Sequence, residues 1–269
     1  FQSDSVDLAE FAAKCEELGF DSFWLPEHTA IPVTPSIGLN GVPGAPIPDS
    51  YLRMADPIIG LTVAATSTSQ LKLGTGVCLI PEHHPIDLAK RISSLDMYSG
   101  GRFILGVGAG WQPEETKALG GDFERRWAQT KESVVIMKKL WLEDEPEHNG
   151  EYYQFPPLKF YPKPIQKPGP PILLGGTSKW VYRRTAAWAN GWAPFLIDPS
   201  ELEHGRHELN RECERIDRDP APGLIAAHQD ELQSVIHDLE NSYFSPGATP
   251  VNDRPDLQTI AREWVSKVG

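Results

Sequence analysis

Short apolar runs alternate with stretches of helical spacing along most of this chain, and that alternation limits its fold more than any other feature. "SVDLAEFAAKCEELGF" sets Val6, Leu8, Phe11, Ala12, Cys15 and Leu18 near a helical period, and Gly19 closes it as a C-cap would. "FDSFWLP" follows as a buried strand. The pattern then recurs. "DPIIGLTVAATSTS", "PIDLAKRISSLDMYSGG", "EETKALG", "FERRWAQTKESVVIMKKLWLED", "SKWVYRRTAAWANG" and "SELEHGRHELNRECERID" read as helices. "LKLGTGVCLIP", "RFILGVG", "PPILLGG" and "WAPFLI" read as strands. A helix–strand unit of roughly 25 to 30 residues with short apolar strands predicts a parallel sheet covered by helices.

Two architectures meet that description, an open doubly wound sheet and a closed eight-stranded barrel. A chain of 269 residues suits the barrel as one domain over 1–269. Toward the C-terminus "GLIAAH" reads as a seventh strand, "DELQSVIHDLENS" and "DLQTIAREWVSKV" as helices, and "YFSPG" as a poor eighth strand. No strand precedes the first helix, so a barrel here lacks its first strand or carries it upstream of Phe1. Two segments break the alternation. Residues 26–50 hold six prolines, the mark of a long functional loop. Residues 144–170 carry "EYYQF" and "KFYP", read as an inserted hairpin.

The formal net charge of −12 argues against nucleic acid as a partner, because an acidic surface repels phosphate backbones. No apolar run reaches the length of a membrane span, so no membrane partner is expected. Cys15, Cys78 and Cys213 are few, odd in number and far apart, which fits a reducing cytoplasm and offers no metal spacing.

In a parallel barrel the site lies at the C-terminal ends of the strands. Four segments converge there: Glu27 and His28, Thr75 to Cys78, Gly106 to Trp111, and Gly175 to Ser178. Glycine lacks a Cβ, so Gly106, Gly108 and Gly110 are read as a cleared floor for something planar; a tight strand-to-loop turn is the alternative. The spacing G-x-G-x-G is not the dinucleotide fingerprint. Gly175 and Gly176 end a strand, and Thr177 or Ser178 is placed to cap the next helix, where N–H groups and the helix dipole suit a phosphate. His28, at a strand end beside the long loop, is the candidate for proton transfer. His83 and His84 are adjacent and lack a companion at ligand spacing, so they are read as loop residues or cofactor contacts and no metal is expected. Glu114 and Glu115, after Pro113, are read as helix N-terminal charges.

Together "LGFDSFWLPEH", "LKLGTGVCLIPEHHPIDLAKRISSLDMYSGGRFILGVGAGWQPEE", "GEYYQFPPLKFYPKPIQKPGPPILLGG" and "RRTAAWANGWAP" closely resemble the luciferase-like monooxygenase superfamily. Within it they look most like the oxidoreductases that use the deazaflavin coenzyme F420. The resemblance implies a TIM-type barrel with a flavin or deazaflavin at its mouth. It implies a non-proline cis peptide supporting the ring, at the position of Gly76–Val77. Glu27, His28 and Thr75 would lie at the cofactor, His28 near the ring edge. Gly108, Ala109 and Gly110 would flank ring and substrate, and Gly175, Gly176, Thr177 and Ser178 would hold the phosphate. Trp111 stands where the family's sugar-phosphate dehydrogenases carry a glutamate, which argues against that reaction and for a flatter or more hydrophobic small-molecule substrate. The expected activity is hydride transfer between coenzyme F420 and a small organic molecule. The alternatives are an FMN-dependent monooxygenase and a non-catalytic, incomplete barrel. Lys179, Arg183 and Arg184 are the cations available for an oligoglutamate tail. A homodimer is the assembly expected.

Overall fold

The computed structural model describes residues 6–195 and 197–219. Their secondary structure runs α1 (Leu8–Glu17), β1 (Ser22–Leu25), α2 (Pro57–Ser67), β2 (Lys72–Thr75), β3 (Cys78–Leu79), α3 (Pro85–Tyr98), β4 (Phe103–Gly108), α4 (Pro113–Ala118) and α5 (Arg126–Leu142). It continues with β5 (His148–Asn149), β6 (Gln154–Phe155), β7 (Ile172–Gly175), α6 (Trp180–Trp188), β8 (Gly191–Ala193) and α7 (Pro199–Glu214). The predicted strand "GLIAAH" and everything after it lie outside the described residues.

The sheet is parallel throughout, in the order β1-β2-β4-β7-β8, with β3 paired to the far end of β4. The α/β class with a parallel sheet is the one the sequence predicts. β5 and β6 form the separate antiparallel hairpin expected in the Pro-rich insertion. Helices α1, α2 and α7 begin where short polar side chains meet the first free amides. Asp7 accepts from Glu10 N at 3.0 Å, Asp56 from Ile59 N at 2.8 Å, and Asp198 with Glu201 forms a capping box on α7. Helix α3 ends in Gly100 and Gly101, both at positive φ (69° and 81°), which turns the chain into β4.

One predicted strand divides. "LKLGTGVCLIP" reads as a single run, but pairing with β1 stops at Leu25–Thr75 and the chain resumes at Cys78 against Val107. Between them the Gly76–Val77 peptide is cis, at the position the resemblance implies. Gly76 N donates to Leu25 O at 2.7 Å, so the chain leans to β1 there before it returns to β4. Among the described residues of "WAPFLI", strand pairing covers Trp192 and Ala193, continuing from Gly191.

The core lies between the sheet and the helices α2, α3 and α5. Leu61, Leu73, Leu88, Ile92, Phe103, Leu105, Ile136 and Trp141 are all sealed from solvent. One cation ties helix ends to strand starts beneath it. Arg102 donates to Ala65 O, Thr68 O, Thr68 Oγ1, Leu71 O and Ser99 O at 2.6–3.1 Å, closing carbonyls that the C-terminus of α2 leaves open. Arg102→Leu strands these acceptors, and urea titration is expected to show a loss of about 2–4 kcal/mol in unfolding free energy. A loss below about 0.5 kcal/mol removes Arg102 from this role.

Candidate active site

Because every strand of the sheet runs the same way, all C-terminal strand ends open on one rim. Pro26 to His28, the Gly76–Val77 bulge, Ala109 to Trp111 and Gly176 to Ser178 meet there, as the sequence order predicts.

The glycines at this rim do something other than expose a bare floor. A Cβ on Gly108 would lie 2.5 Å from Val77 Cγ2, and one on Gly175 would lie 2.7 Å from Val77 Cγ1. The Val77 side chain is therefore nested between β4 and β7 in two notches that only glycine leaves open. Deeper in the sheet the Trp24 ring fills the same kind of space above Gly74, and its far edge reaches toward Gly106. The expected floor is thus a second layer: glycine seats Val77 and Trp24, and Val77 faces the mouth. Thr75 lies below it, buried, with its hydroxyl bonded to Gly106 O at 2.8 Å.

Glu27 is likewise turned inward. It is 5% exposed, and its Oε2 accepts from Leu79 N at 2.6 Å while Oε1 meets His83 Nε2 at 2.9 Å. Cys78 Sγ–H donates to it as well. Burial works against the charge on Glu27, but His83, the Leu79 amide and Cys78 outweigh it and hold this carboxyl below its usual range. Burial and the Glu27 charge push the Cys78 thiol well up, so sulfur keeps its proton.

His28 is held by a partner that the sequence hides. Its Nδ1 lies 2.7 Å from Glu115 Oε2, and Glu115 Oε1 accepts from Ala30 N at 2.9 Å. Glu115 is 2% exposed. The expectation that it only charges a helix N-terminus is corrected, because the first turn of α4 presents it inward, against a residue 87 positions away. A carboxylate on Nδ1 fixes the tautomer and leaves Nε2 as the working nitrogen. The imidazole also packs against Trp111 and Tyr51, with centroids 5.1 and 5.3 Å away. Tyr51 comes from the far end of the long loop, whose middle is tied to the same turn by Gln112 Nε2 on Ile37 O (3.2 Å) and by Ser36 on Glu114.

A third buried carboxyl sits behind Gly110. Glu82 is 6% exposed, its Oε1 takes one 3.3 Å bond from Thr116 Oγ1, and its Oε2 has no partner. Burial first, then the charges of Glu115 and Glu27, push it up to about 9. Gly110, at φ 78°, has its open side 3.3–3.4 Å from Thr116 and Glu82, and its carbonyl accepts from Arg126 Nε at 3.1 Å.

At the β7 end, Gly176 adopts φ 116° and its carbonyl accepts from Trp192 Nε1 at 2.7 Å. Thr177 and Ser178 are exposed. Neither caps α6: the helix starts one residue later, with Lys179 at the cap position and no side-chain cap bond, while Ser178 contributes its carbonyl to Val181 N. Neither hydroxyl is taken up by the helix cap. Of the three expected cations, Arg184 lies 4.4 Å from the Trp127 ring centre, and burial first, then the neighbouring Arg126 charge, hold its guanidinium below the ordinary arginine range. His84 accepts from Ile86 N at the start of α3, and His83 belongs to the Glu27 cluster. Glu115, Glu82, Tyr51 and Trp24 are the site residues that sequence reasoning missed.

A glycine-backed bulge, an oriented histidine and an exposed helix start thus share one rim of a parallel α/β sheet. Residues 3–229 match the luciferase-like monooxygenase family, and the chain belongs to it. An uncharacterized protein of Mycobacterium tuberculosis is 39% identical over 195 residues, 70% of this chain and 69% of its own length. The oxygenase component of the flavin-dependent trigonelline monooxygenase of Acinetobacter baylyi is 27% identical over 266 residues, 92% of this chain and 67% of its own. In fold, the chain is similar to an F420-dependent secondary alcohol dehydrogenase, with a TM-score of 0.66 and 19% identity over 96% of this chain and 76% of that one. No helix among the described residues is long and apolar enough to cross a membrane.

Two outcomes test this geometry. Gly108→Ala drives a methyl group into Val77; it is expected to cost about 1–3 kcal/mol in urea unfolding, and wild-type stability would show that Val77 is not seated there. Glu82 has its ordinary value of 4.5 raised to about 9, so the unfolded chain gives up this proton first and stability falls as pH rises through that window. Glu82→Gln removes the dependence. At pH 8 the variant should be more stable than wild type by at least about 1 kcal/mol, and parallel pH–stability curves would contradict the assignment.

Proposed function

We propose that this protein is an oxidoreductase that binds a flavin-type tricyclic ring against Val77 and carries out hydride transfer between coenzyme F420 and a small organic substrate. The observation that carries this reading is the seating of Val77 in the notches of Gly108 and Gly175, beside the His28–Glu115 pair. Val77 would carry the flat ring, His28 would meet its edge, and the start of α6 would take its phosphate tail. When bound, the deazaflavin supplies the hydride chemistry. The chain's own part is to orient and to handle the proton. Glu115 holds the His28 tautomer, and His28 Nε2 gives or takes the proton at the substrate. Trp111 and Tyr51 supply an apolar wall and keep water from that nitrogen. Gly175, Gly176, Thr177 and Ser178 receive the phosphate, and Lys179, Arg183 and Arg184 lie along α6 for an anionic tail.

A second reading, FMN with oxygen as a monooxygenase, is favoured by the identity to the trigonelline monooxygenase component over nearly the whole chain. The same seat serves it, because the two cofactors share the tricyclic outline and the phosphate. The expected homodimer draws support from Ile59, Val63 and Tyr98, exposed apolar side chains on α2 and α3.

The deciding experiment is titration of the protein with coenzyme F420 and, separately, with FMN, read by quenching of ring fluorescence. Saturable F420 binding is the expected result. Saturation by FMN alone selects the second reading, and binding of neither overturns both. For whichever ring binds, His28→Ala should leave its Kd within about threefold and lower turnover about 100-fold. Unchanged turnover would take the proton step away from His28.

A further inference from the structure

Behind the bulge, His83 Nε2, Glu27 and Cys78 gather in a buried cluster that the proposed reaction does not use. One ligand atom from each lies within 4.8 Å of the others, a grouping that suggests a metal ion. The protons argue otherwise. On the far side of the ring, Arg91 Nη2 lies 3.1 Å from His83 Nδ1. A guanidinium only donates, so Nδ1 must be an acceptor and the ring proton must sit on Nε2. That proton points at Glu27 Oε1, and a nitrogen that carries a proton is not a metal ligand. The cluster is a carboxylate collecting three donors: His83 Nε2–H, the Leu79 amide and Cys78 S–H.

The line of contacts draws on separate elements. Arg91 stands on α3, paired with Asp87 at 2.8 Å and 3.8 Å from Asp56 at the start of α2. His83 lies in the turn after β3, beside Glu82. Glu27 follows β1. Leu79 and Cys78 form β3, directly after Val77. A line of contacts therefore runs from a surface carboxylate on α3, through one imidazole of fixed tautomer, to the two residues that hold Val77 in register.

We propose that His83 is a positioning residue for the ring seat: its Nε2 proton holds Glu27 on Cys78–Leu79, and through them sets Val77. This rests on the reading that Val77 carries a flavin-type ring, so its test includes measurements that need no cofactor. Glutamine imitates the required tautomer, with an amide N–H for Glu27 and a carbonyl for Arg91. Alanine supplies neither.

The experiment compares wild type, His83→Gln and His83→Ala. Nitrogen-15 spectra of the histidine-labelled protein, with His83 assigned by its disappearance in the variants, should show a neutral ring protonated at Nε2. Hydrogen exchange at the Leu79 amide should be within about threefold of wild type for glutamine and at least about tenfold faster for alanine. FMN and coenzyme F420 titrations should follow the same order, with affinity near wild type in His83→Gln and about tenfold weaker in His83→Ala. A ring protonated at Nδ1 overturns the inference. So does Leu79 exchange in His83→Gln as fast as in His83→Ala, or uptake of one equivalent of zinc by the wild-type protein, since that needs a bare Nε2. Should His83→Ala fail to fold, the tautomer and the glutamine rescue decide. If neither ring binds any of the three proteins, the functional reading fails while spectra and exchange still judge the contact line.

Discussion

The structure depends on how closely two adjacent parallel strands let a side chain approach their backbone. Val77 stands where β4 and β7 are stripped of Cβ atoms at Gly108 and Gly175, and Trp24 stands over Gly74 by the same means. Each contact joins three segments that are distant in the chain. Packing of this kind is unforgiving, because a single methyl group at either glycine occupies space already taken. The rim geometry follows from it. Once Val77 is seated, Cys78 and Leu79 pair with β4, Glu27 closes over their donors, and the start of the long loop leaves in a fixed direction toward His28.

Three buried glutamates share that corner and differ in their donors and in their charged neighbours. Glu27 collects three donors and keeps its charge; Glu115 has an imidazole and an amide; Glu82 has one long hydroxyl bond and two charged neighbours. Identical side chains thus fall into different protonation states within one region. The arrangement concentrates carboxylates beneath the rim while His28 and Arg91 bring donors to it. An orphaned oxygen on Glu82 is the cost of fitting a third carboxyl into so small a volume.

Much of this was legible in the residues. Period and punctuation place α2, α3, β4 and the hairpin close to where they lie, since Asp-Pro, His-Pro and Gly-Gly act locally. The convergence of four strand ends follows from parallel topology. The rest rests on contacts that no local pattern encodes. Glu115 sits beside Glu114 after a proline and looks like a helix charge, yet the turn of α4 sends one to Ser36 of the long loop and the other into a histidine from a different strand end. The purpose of the glycines was half visible: their lack of side chains could be read, but the neighbour that takes up the room could not. The break in "LKLGTGVCLIP" was likewise concealed, because Gly76 and Val77 fit a strand pattern on either side. Helix α6 begins at Trp180 instead of at the better cap formers, which propensity alone gets wrong.

The long loop between β1 and α2 touches the barrel rim chiefly through one short element. Ala30, Ser36 and Ile37 reach Glu115, Glu114 and Gln112 in turn, and Tyr51 leans on Trp111. None of these residues belongs to a strand of the sheet. A change in the middle of this loop would therefore reach Glu115, and through it His28, before it reached any strand of the sheet.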